Sequence, residues 1–270
     1  MNEISTYRWS FEEDIENYQE AGYEAIGVWR QKLSDENESR AIDLLSESRL
    51  SVTHFSWAGG FTGSDGRTLA EGIEDTLDAV RLAAAIQAGC LVIYPGGRNN
   101  HTFRHAGRLL RLALREILPF AEECGVTVAI EPMHSICARD WTFLTDLAAV
   151  VTLIEEYGSP SLKIAYDTYH FPVHGREREM LRRIAPHIGI VHLSDRRQAP
   201  TSEQNRCLLG DGSLDLSDIV RTLQQGGYTG DYDVKLIGTE VESYDYWTLL
   251  EQSQIAFDQL APILPQRTLA

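Results

Sequence analysis

The sequence has few cysteines and no cysteine motif. Its four cysteines, Cys90, Cys124, Cys137 and Cys207, lie far apart in the chain and form no CxxC pair. This spacing argues against a disulfide framework and against a zinc knuckle. We therefore expect buried thiols in the reduced state.

Clusters of basic residues are also missing. The formal net charge is -16 at pH 7, and no Lys/Arg cluster interrupts this acidic balance. Such a surface repels phosphate backbones, because nucleic-acid binding depends on neutralising phosphates with lysine and arginine. We expect neither DNA nor RNA as a partner.

The sequence contains no apolar run long enough to span a bilayer. Its first residues, Met1-Asn2-Glu3-Ile4-Ser5, do not form a basic segment followed by an apolar stretch. These two absences predict a protein without a membrane partner and with a cytoplasmic location. The sequence leaves the oligomeric state open, including a homo-oligomer.

What the sequence does contain is a regular alternation of strand-like and helix-like segments. The predicted strands lie near residues 3 to 7, 25 to 29, 50 to 56, 91 to 95, 127 to 131, 162 to 167, 189 to 193 and 232 to 237. Eight βα units in 270 residues favour an α/β protein built as a single (β/α)8 TIM barrel. No linker or repeat divides the chain, so we predict one domain over residues 1–270.

Local patterns support the helices between these strands. Ser10 and Glu13 form a capping-box pattern, and Leu110, Leu114 and Ile117 belong to an apolar stripe at helical spacing. No GxGxxG follows the first strand, which argues against a dinucleotide-binding open sheet. An open doubly wound sheet stays an alternative, because the sequence alone does not show closure.

Three predicted strands end in a residue of metal-ligand type. They are Val128-Ala129-Ile130-Glu131, Ile164-Ala165-Tyr166-Asp167 and Ile190-Val191-His192. In a (β/α)8 barrel the active site lies at the carboxyl ends of the strands, where these three side chains would meet. Two carboxylates and an imidazole suit a divalent ion, with Mn²⁺ as the first expectation and Mg²⁺, Co²⁺ or Zn²⁺ as alternatives. Each residue alone could instead bond to a neighbouring loop.

Polar and aromatic residues in the loops after these strands are candidates for contacts with a substrate. His170 follows Asp167 closely, where it could bond a substrate hydroxyl, relay a proton or simply orient Asp167. The long stretch from Ser194 to Asp215 could form a lid, and solvated loop is the alternative for each of its residues. The candidate substrate-binding residues are Trp57, Arg98, His134, His170 and Arg206.

Four short motifs follow one another along the chain. They are Glu131-Pro132, Asp167-Thr168-Tyr169-His170, His192-Leu193-Ser194-Asp195 and Gly210-Asp211-Gly212, the last placed before a predicted helix. In this order they resemble the xylose isomerase-like sugar phosphate isomerase/epimerase family. Each motif is short, but their order and spacing together extend the resemblance over nearly the whole chain. The resemblance implies a (β/α)8 barrel that acts on a small-molecule sugar.

The resemblance also implies a divalent metal held by Glu131, Asp167, His192 and a glutamate on the eighth strand. In the family's sugar epimerases, the fifth- and eighth-strand glutamates move the proton from opposite faces of the substrate. In this chain the eighth-strand position is Lys235. The candidate catalytic residues are therefore Glu131, His170 and Lys235, and the lysine predicts impaired activity.

A charged lysine is incompatible with an intact metal site. An ammonium about 4 Å from a divalent ion costs roughly 8 kcal/mol at an effective dielectric of about 20. Neutralising a lysine at pH 7 costs about 4.6 kcal/mol. Lys235 is therefore neutral, or it turns aside towards Asp233, Glu240 or Glu242, or the metal is weakly held or absent. We favour the last two arrangements, because long lysine side chains reorient readily towards carboxylates.

The leading hypothesis is a metal-dependent sugar isomerase or epimerase in which Glu131 removes a proton beside a polarised carbonyl. A lyase that eliminates from a keto-sugar is the second, because elimination needs only one base. A sugar-binding barrel without activity is the third, and Lys235 is its only support. An endonuclease is disfavoured by the acidic charge.

Overall fold

The computed structural model describes residues 1–260 except 172, 174, 176 and 203. Seven parallel strands in this part of the chain form one sheet in the order β1 to β7, each beside its neighbour in sequence. They are β1 (Ala25–Trp29), β2 (Ser51–Gly59), β3 (Leu91–Tyr94), β4 (Val128–Ile130), β5 (Leu162–Asp167), β6 (Ile188–Leu193) and β7 (Tyr232–Val234).

Helices connect the strands and cover the sheet. The α-helices of the described residues are α1 (Phe11–Glu20), α2 (Arg30–Asp35), α3 (Glu38–Glu47), α4 (Leu69–Ala85), α5 (Phe103–Glu123), α6 (Leu147–Tyr157), α7 (Glu177–Ile184), α8 (Leu216–Gln225) and α9 (Tyr246–Leu260). Short 3-10 helices lie at Glu3–Thr6, Ala185–His187 and Val241–Ser243. None of the helices seen in this part of the chain is both long and apolar enough to cross a membrane.

The strand predicted near residues 3 to 7 is wrong. Residues Glu3–Thr6 form a 3-10 helix, and the preceding residues Met1 and Asn2 lie between β7 and β1. The Asn2 amide donates to the Val234 carbonyl at 3.0 Å, and the Gly27 amide donates to the Met1 carbonyl at 2.8 Å. These two bonds bring the first and last strands together into a nearly closed barrel, consistent with the predicted (β/α)8 fold.

The predicted helix signals are confirmed. Ser10 and Glu13 form the capping box of α1, and a second capping box, Thr68 with Glu71, begins α4. The predicted apolar stripe of α5 is buried in the main hydrophobic core. Alternate strand residues supply a second cluster inside the barrel, including Val92, Ala129, Ala165 and Ile190. The site described below lies at the carboxyl end of this interior.

The cysteines differ in burial. Cys90, Cys137 and Cys207 are buried free thiols, whereas Cys124 at the end of α5 is only half-buried. Burial raises the pKa of the Cys90 thiol to about 12, so this thiol is unreactive.

Candidate active site

Glu131, Asp167 and His192 converge at the carboxyl ends of three neighbouring strands. Glu131 directly follows β4, Asp167 ends β5, and His192 pairs with Asp167 in the register of β5 and β6. One ligand atom from each residue lies within 4.8 Å of the others, and all three side chains are buried. This is a group of the type that can hold a metal ion.

Lys235 places its ammonium group among these three residues. Its Nζ lies 2.8 Å from Glu131 Oε1, 3.5 Å from Asp167 Oδ2 and 3.3 Å from His192 Nδ1. The lysine is 4 % exposed, so these contacts are shielded from water. The prediction that Lys235 turns aside towards Asp233, Glu240 or Glu242 is therefore wrong.

Competing partners explain why Lys235 points inwards. Asp233 Oδ2 accepts a hydrogen bond from Asn2 Nδ2 at 2.8 Å, and Glu240 pairs with Arg197 at 2.8 Å. Both carboxylates already have a donor, whereas Glu131 is fully buried and has Lys235 as its ammonium partner at 2.8 Å. A buried carboxylate without a partner is costly, which favours the inward position.

Arg206 supplies a second buried cation. Its NH2 group contacts Asp167 Oδ2 at 2.8 Å, its Nε donates to Ser194 Oγ at 3.0 Å, and its guanidinium lies 4.3 Å from the centre of the Tyr169 ring. The predicted substrate-binding arginine thus has protein partners and pairs with Asp167. We call Glu131, Asp167, His192, Lys235 and Arg206 the rim cluster.

The two cations decide the charge state of the two carboxyl groups. Burial acts to raise the pKa of Glu131, but the Lys235 ammonium, together with the neighbouring His192 ring, outweighs it and holds that pKa well below 4.5. For Asp167 burial is again opposed, by Arg206 and then Lys235, and its pKa is lowered. Both carboxyl groups are therefore ionised at neutral pH, and their two negative charges are balanced by two positive ones.

The ring nitrogens of His170 have no hydrogen-bond partner among the residues that the structure describes. His170 is 1 % exposed, and neither Nδ1 nor Nε2 has a hydrogen bond within the described part of the chain. Burial lowers the pKa of His170 to about 3, so the ring is neutral at pH 7 and offers one donor and one acceptor. Buried polar atoms without partners are rare in folded proteins, which makes His170 a candidate ligand-binding residue.

Aromatic rings lie beside Glu131. Trp57 is half-buried and packs against Trp29, Tyr94 and Trp141 with ring centres 5.0 to 6.1 Å apart. Sequence reasoning identified Trp57 but missed Tyr94, whose hydroxyl donates to Glu131 Oε2 at 2.8 Å. Glu131 was predicted from a strand-end rule, namely that a polar residue at the end of an apolar strand is a site candidate. Tyr94 ends the apolar strand Leu91-Val92-Ile93-Tyr94, so the same rule would have found it.

Two further residues extend the buried polar network and were also missed. His54 on β2 and Asp233 on β7 form a second group of metal-ligand type with His192. Burial lowers the pKa of His54 to about 3, so this histidine is neutral. His54 lies in the middle of its predicted strand, where the strand-end rule gives no signal.

Two predicted substrate-binding residues have contacts outside this network. Arg98 is exposed and its guanidinium lies 5.1 Å from the Phe103 ring centre. His134 is half-buried, and its Nδ1 accepts from the Ile136 amide at 3.3 Å within its own turn. No contact of these two side chains with the rim cluster is seen among the described residues, so their role stays a prediction.

The predicted lid segment is tied to the barrel by a buried aspartate. The Asp195 carboxylate accepts hydrogen bonds from the amides of Gly210, Gly212 and Leu214 at 3.0 to 3.2 Å. A Cβ on Gly212 would lie 2.0 Å from Asp195 Oδ1, so this turn needs glycine for its close approach. Glu203, also part of the predicted lid, lies outside the described residues.

Comparisons with known proteins agree with this geometry. A family model described as xylose isomerase-like TIM barrel matches residues 15–242. D-psicose 3-epimerase of Enterocloster bolteae is 29 % identical over 118 residues, which are 43 % of this chain and 36 % of that protein. Inosose isomerase of Halalkalibacterium halodurans is 25 % identical over 132 residues, 47 % of this chain and 45 % of that protein. The matches thus span less than half the length of these curated relatives.

A solved structure shares the fold and is described as binding zinc. The IolI protein with a zinc atom superposes with a TM-score of 0.84, covers 98 % of each chain and is 17 % identical. At this identity the neighbour shows the fold alone, and the suitability of Glu131, Asp167 and His192 for a divalent metal follows from their own ligand atoms. They do not identify the metal.

The residues of this chain do not fit a divalent ion while Lys235 stays in place. All three ligand residues lie within 3.5 Å of the ammonium nitrogen, so an ion bound to them would share that space. At about 4 Å the repulsion between ammonium and ion is roughly 8 kcal/mol. The chemistry of the three ligands suits a metal, and the lysine opposes it.

Proposed function

The chain belongs to the xylose isomerase-like TIM barrel family, and from this membership we propose that it is an isomerase or epimerase of a sugar or keto-sugar. Its curated relatives are a sugar epimerase and an inosose isomerase, which supports an enzyme with a small polyhydroxylated substrate. Because the matches cover less than half of those proteins, the substrate class is our proposal for this chain.

The observation that carries the proposal is the state of Glu131. This carboxyl group is fully buried, and Lys235 and His192 hold its pKa well below 4.5 in spite of burial. A carboxylate that is ionised at neutral pH is in the protonation state needed to accept a proton from the carbon beside a carbonyl. Tyr94 donates to one of its oxygens and Lys235 to the other, which fixes its orientation.

His170 and Trp57 are the proposed substrate-binding residues. The neutral His170 ring offers a donor and an acceptor to sugar hydroxyls, and its nitrogens have no protein partner among the described residues. The half-buried Trp57 ring offers an apolar face to the C–H groups of a sugar. We propose that Arg206 acts through Asp167, because its donors contact protein groups.

We keep Mn²⁺ as the ion proposed for Glu131, Asp167 and His192 if Lys235 is replaced, because two carboxylates and one imidazole suit it. With Lys235 present, no step of the proposed reaction depends on a metal. The location in the cytoplasm and a homo-oligomeric state stay predictions.

Proton exchange in D₂O tests the proposal. The protein is incubated with a panel of keto-sugars and inososes, and the products are followed by NMR. We expect deuterium at the carbon beside the carbonyl and formation of an isomer or epimer for at least one substrate. Glu131→Gln should lower the rate by roughly 10² to 10⁴-fold, because it removes the base.

Glu156→Gln is the matched control. Glu156 lies at the protein surface on α6, where it pairs with Arg111, so this substitution makes the same chemical change away from the site. Its exchange rate should equal that of the unchanged protein. If no substrate in the panel exchanges although one binds, as detected by quenching of tryptophan fluorescence, the chain is a binding protein and the proposal fails.

A lyase is the second candidate, favoured by one observation. Lys235 Nζ bonds directly to Glu131 Oε1, so the lysine and the glutamate form one pair rather than two separate bases. Epimerisation by two bases on opposite faces would need another group, whereas elimination needs one base. Loss of a leaving group from the substrate, seen by the same NMR experiment, would support the lyase and exclude the isomerase.

A further inference from the structure

We infer that the Lys235 ammonium takes the place of the divalent ion in this barrel, and that the protein works without a metal. The part of this inference that concerns the ion stands on contacts alone. The part that concerns the substrate rests on the proposed function.

The first step is the position of the ammonium nitrogen. Lys235 Nζ lies within 3.5 Å of Glu131, Asp167 and His192, the same residues that form the metal-type group. The lysine directly follows β7, and its amide still bonds the Leu193 carbonyl of β6 at 3.0 Å. The backbone of the barrel therefore fixes the position from which the Lys235 side chain extends.

The second step is the balance of charge. Glu131 and Asp167 together carry two negative charges, and each has its own cation at 2.8 Å, Lys235 for the first and Arg206 for the second. A divalent ion added to this balanced group would leave two uncompensated positive charges in a buried site. Such a state is strongly unfavourable, because buried charges need partners.

The third step is the capacity of the ammonium to bind one more oxygen. Lysine has three N–H donors, and only the bond to Glu131 has the length of a strong charged hydrogen bond. The contacts to Tyr94, Asp167 and His192 are longer, at 3.5, 3.5 and 3.3 Å. A substrate carbonyl oxygen can replace one of them, and the ammonium then stabilises the negative charge that develops there when Glu131 removes the neighbouring proton.

Metal binding by three proteins tests the ion. The unchanged chain, Lys235→Glu and the control Lys163→Glu are dialysed against EDTA and titrated with Mn²⁺ and Zn²⁺. Lys163 on β5 is half-buried, and its Nζ bonds the Pro186 carbonyl, so its substitution makes the same charge change outside the cluster. We expect Lys235→Glu to bind about one ion per chain, at least 100-fold more tightly than the other two proteins.

The outcomes are decisive in both directions. The inference is overturned if the unchanged protein binds an ion with an affinity within tenfold of Lys235→Glu, or if folded Lys235→Glu binds none. Should Lys235→Glu fail to fold, Lys235→Met takes its place, since it removes the charge and keeps the side-chain volume. Folded Lys235→Met should then gain an ion through the three remaining ligands.

Two activity measurements separate the role of the ammonium from the proposed function. If a substrate is found, EDTA should change its turnover by less than twofold. Reduction with borohydride in the presence of that substrate should leave the mass of the protein unchanged, because a charged ammonium does not form a Schiff base. A substrate-sized adduct on Lys235 would overturn the electrostatic role. If no substrate is found, the proposed function fails while the metal titration still decides the first part.

Discussion

Two buried lysines pair with carboxylates in this molecule, and their surroundings differ. In the rim cluster, Lys235 contacts Glu131 and Asp167, and nitrogens of His170 and His192 have no hydrogen-bond partner in the described part of the chain. A second group, which we call the helix cluster, consists of Glu3, Thr6, Asp14, Tyr18 and Lys32. There Lys32 pairs with Asp14 and donates to the Thr6 carbonyl at 3.0 Å.

The helix cluster joins elements of the fold. Thr6 belongs to the 3-10 helix Glu3–Thr6, Asp14 to α1 and Lys32 to α2, and the Thr6 hydroxyl donates to Asp14 Oδ1 at 2.7 Å. Glu3 Oε2 accepts from the Trp29 amide at 2.6 Å at the end of β1. These contacts hold the first helices against the first strand, so we interpret the helix cluster as structural.

The pKa directions of the two clusters are opposite. Burial and then the Asp14 charge raise the pKa of Glu3 well above 4.5, and burial raises the pKa of Asp14 to about 6 in spite of Lys32. In the rim cluster two cations overcome burial and lower the pKa of both carboxyl groups. A buried carboxylate stays ionised only with a second cation nearby. A role as a catalytic base is a reason for such an arrangement.

Replacing either lysine should destabilise its own cluster, and a metal ion should restore stability in only one of the two. Lys32→Met and Lys235→Met should each lower the free energy of unfolding by about 3 to 5 kcal/mol, because each leaves a buried carboxylate without its cation. Mn²⁺ should restore much of the loss in Lys235→Met, where three ligands converge, and none in Lys32→Met. Urea unfolding with and without Mn²⁺ measures both effects. Equal rescue of the two variants would remove the distinction between the clusters.

The helix cluster should also respond to pH. The folded-state pKa of Asp14 is raised to about 6 from 3.8. The folded state therefore binds this proton more tightly than the unfolded state, and the stabilisation is fully present below the unfolded pKa and lost as pH rises through about 6. The pKa difference corresponds to about 3 kcal/mol. Urea unfolding of the unchanged protein at pH 4 and pH 7 measures this effect.

Asp14→Asn is the control for this pH dependence. Since asparagine does not titrate, the stability of the unchanged protein relative to Asp14→Asn should rise by up to about 3 kcal/mol between pH 7 and pH 4. A constant difference between the two proteins over this range would show that Asp14 has no raised pKa.

The sequence predicts the barrel and the convergence of three residues well, and it predicts the orientation of side chains poorly. Strand-end positions bring Glu131, Asp167 and His192 together because parallel strands share one carboxyl edge. The direction of Lys235 depends on which carboxylates already have partners, here Asn2 beside Asp233 and Arg197 beside Glu240. Those partners come from distant parts of the chain, so no local pattern reveals them.

The first predicted strand illustrates the same limit. Residues Glu3–Thr6 form a 3-10 helix because their polar groups have tertiary partners, such as the Ser5 hydroxyl, which accepts from the Leu236 amide at 2.9 Å. The strand-like contacts of this segment shift to Met1 and Asn2. Element boundaries that depend on such long-range bonds cannot be read from a window of neighbouring residues.

The smallest expected change in stability comes from removing one tyrosine hydroxyl in each cluster, and this matched pair also compares the functions of the clusters. Tyr18→Phe removes a hydroxyl that bonds Thr6 Oγ1 at 2.7 Å, and Tyr94→Phe removes one that donates to Glu131 Oε2 at 2.8 Å. The first should lower the free energy of unfolding by about 0.5 to 1.5 kcal/mol and the second by about 1.5 to 3 kcal/mol, because its acceptor is charged. Only Tyr94→Phe should slow proton exchange from a substrate, since it leaves one oxygen of the base unoriented. If Tyr18→Phe slowed exchange as much, the hydroxyl beside Glu131 would have no special role, and the helix cluster would have to be coupled to the site.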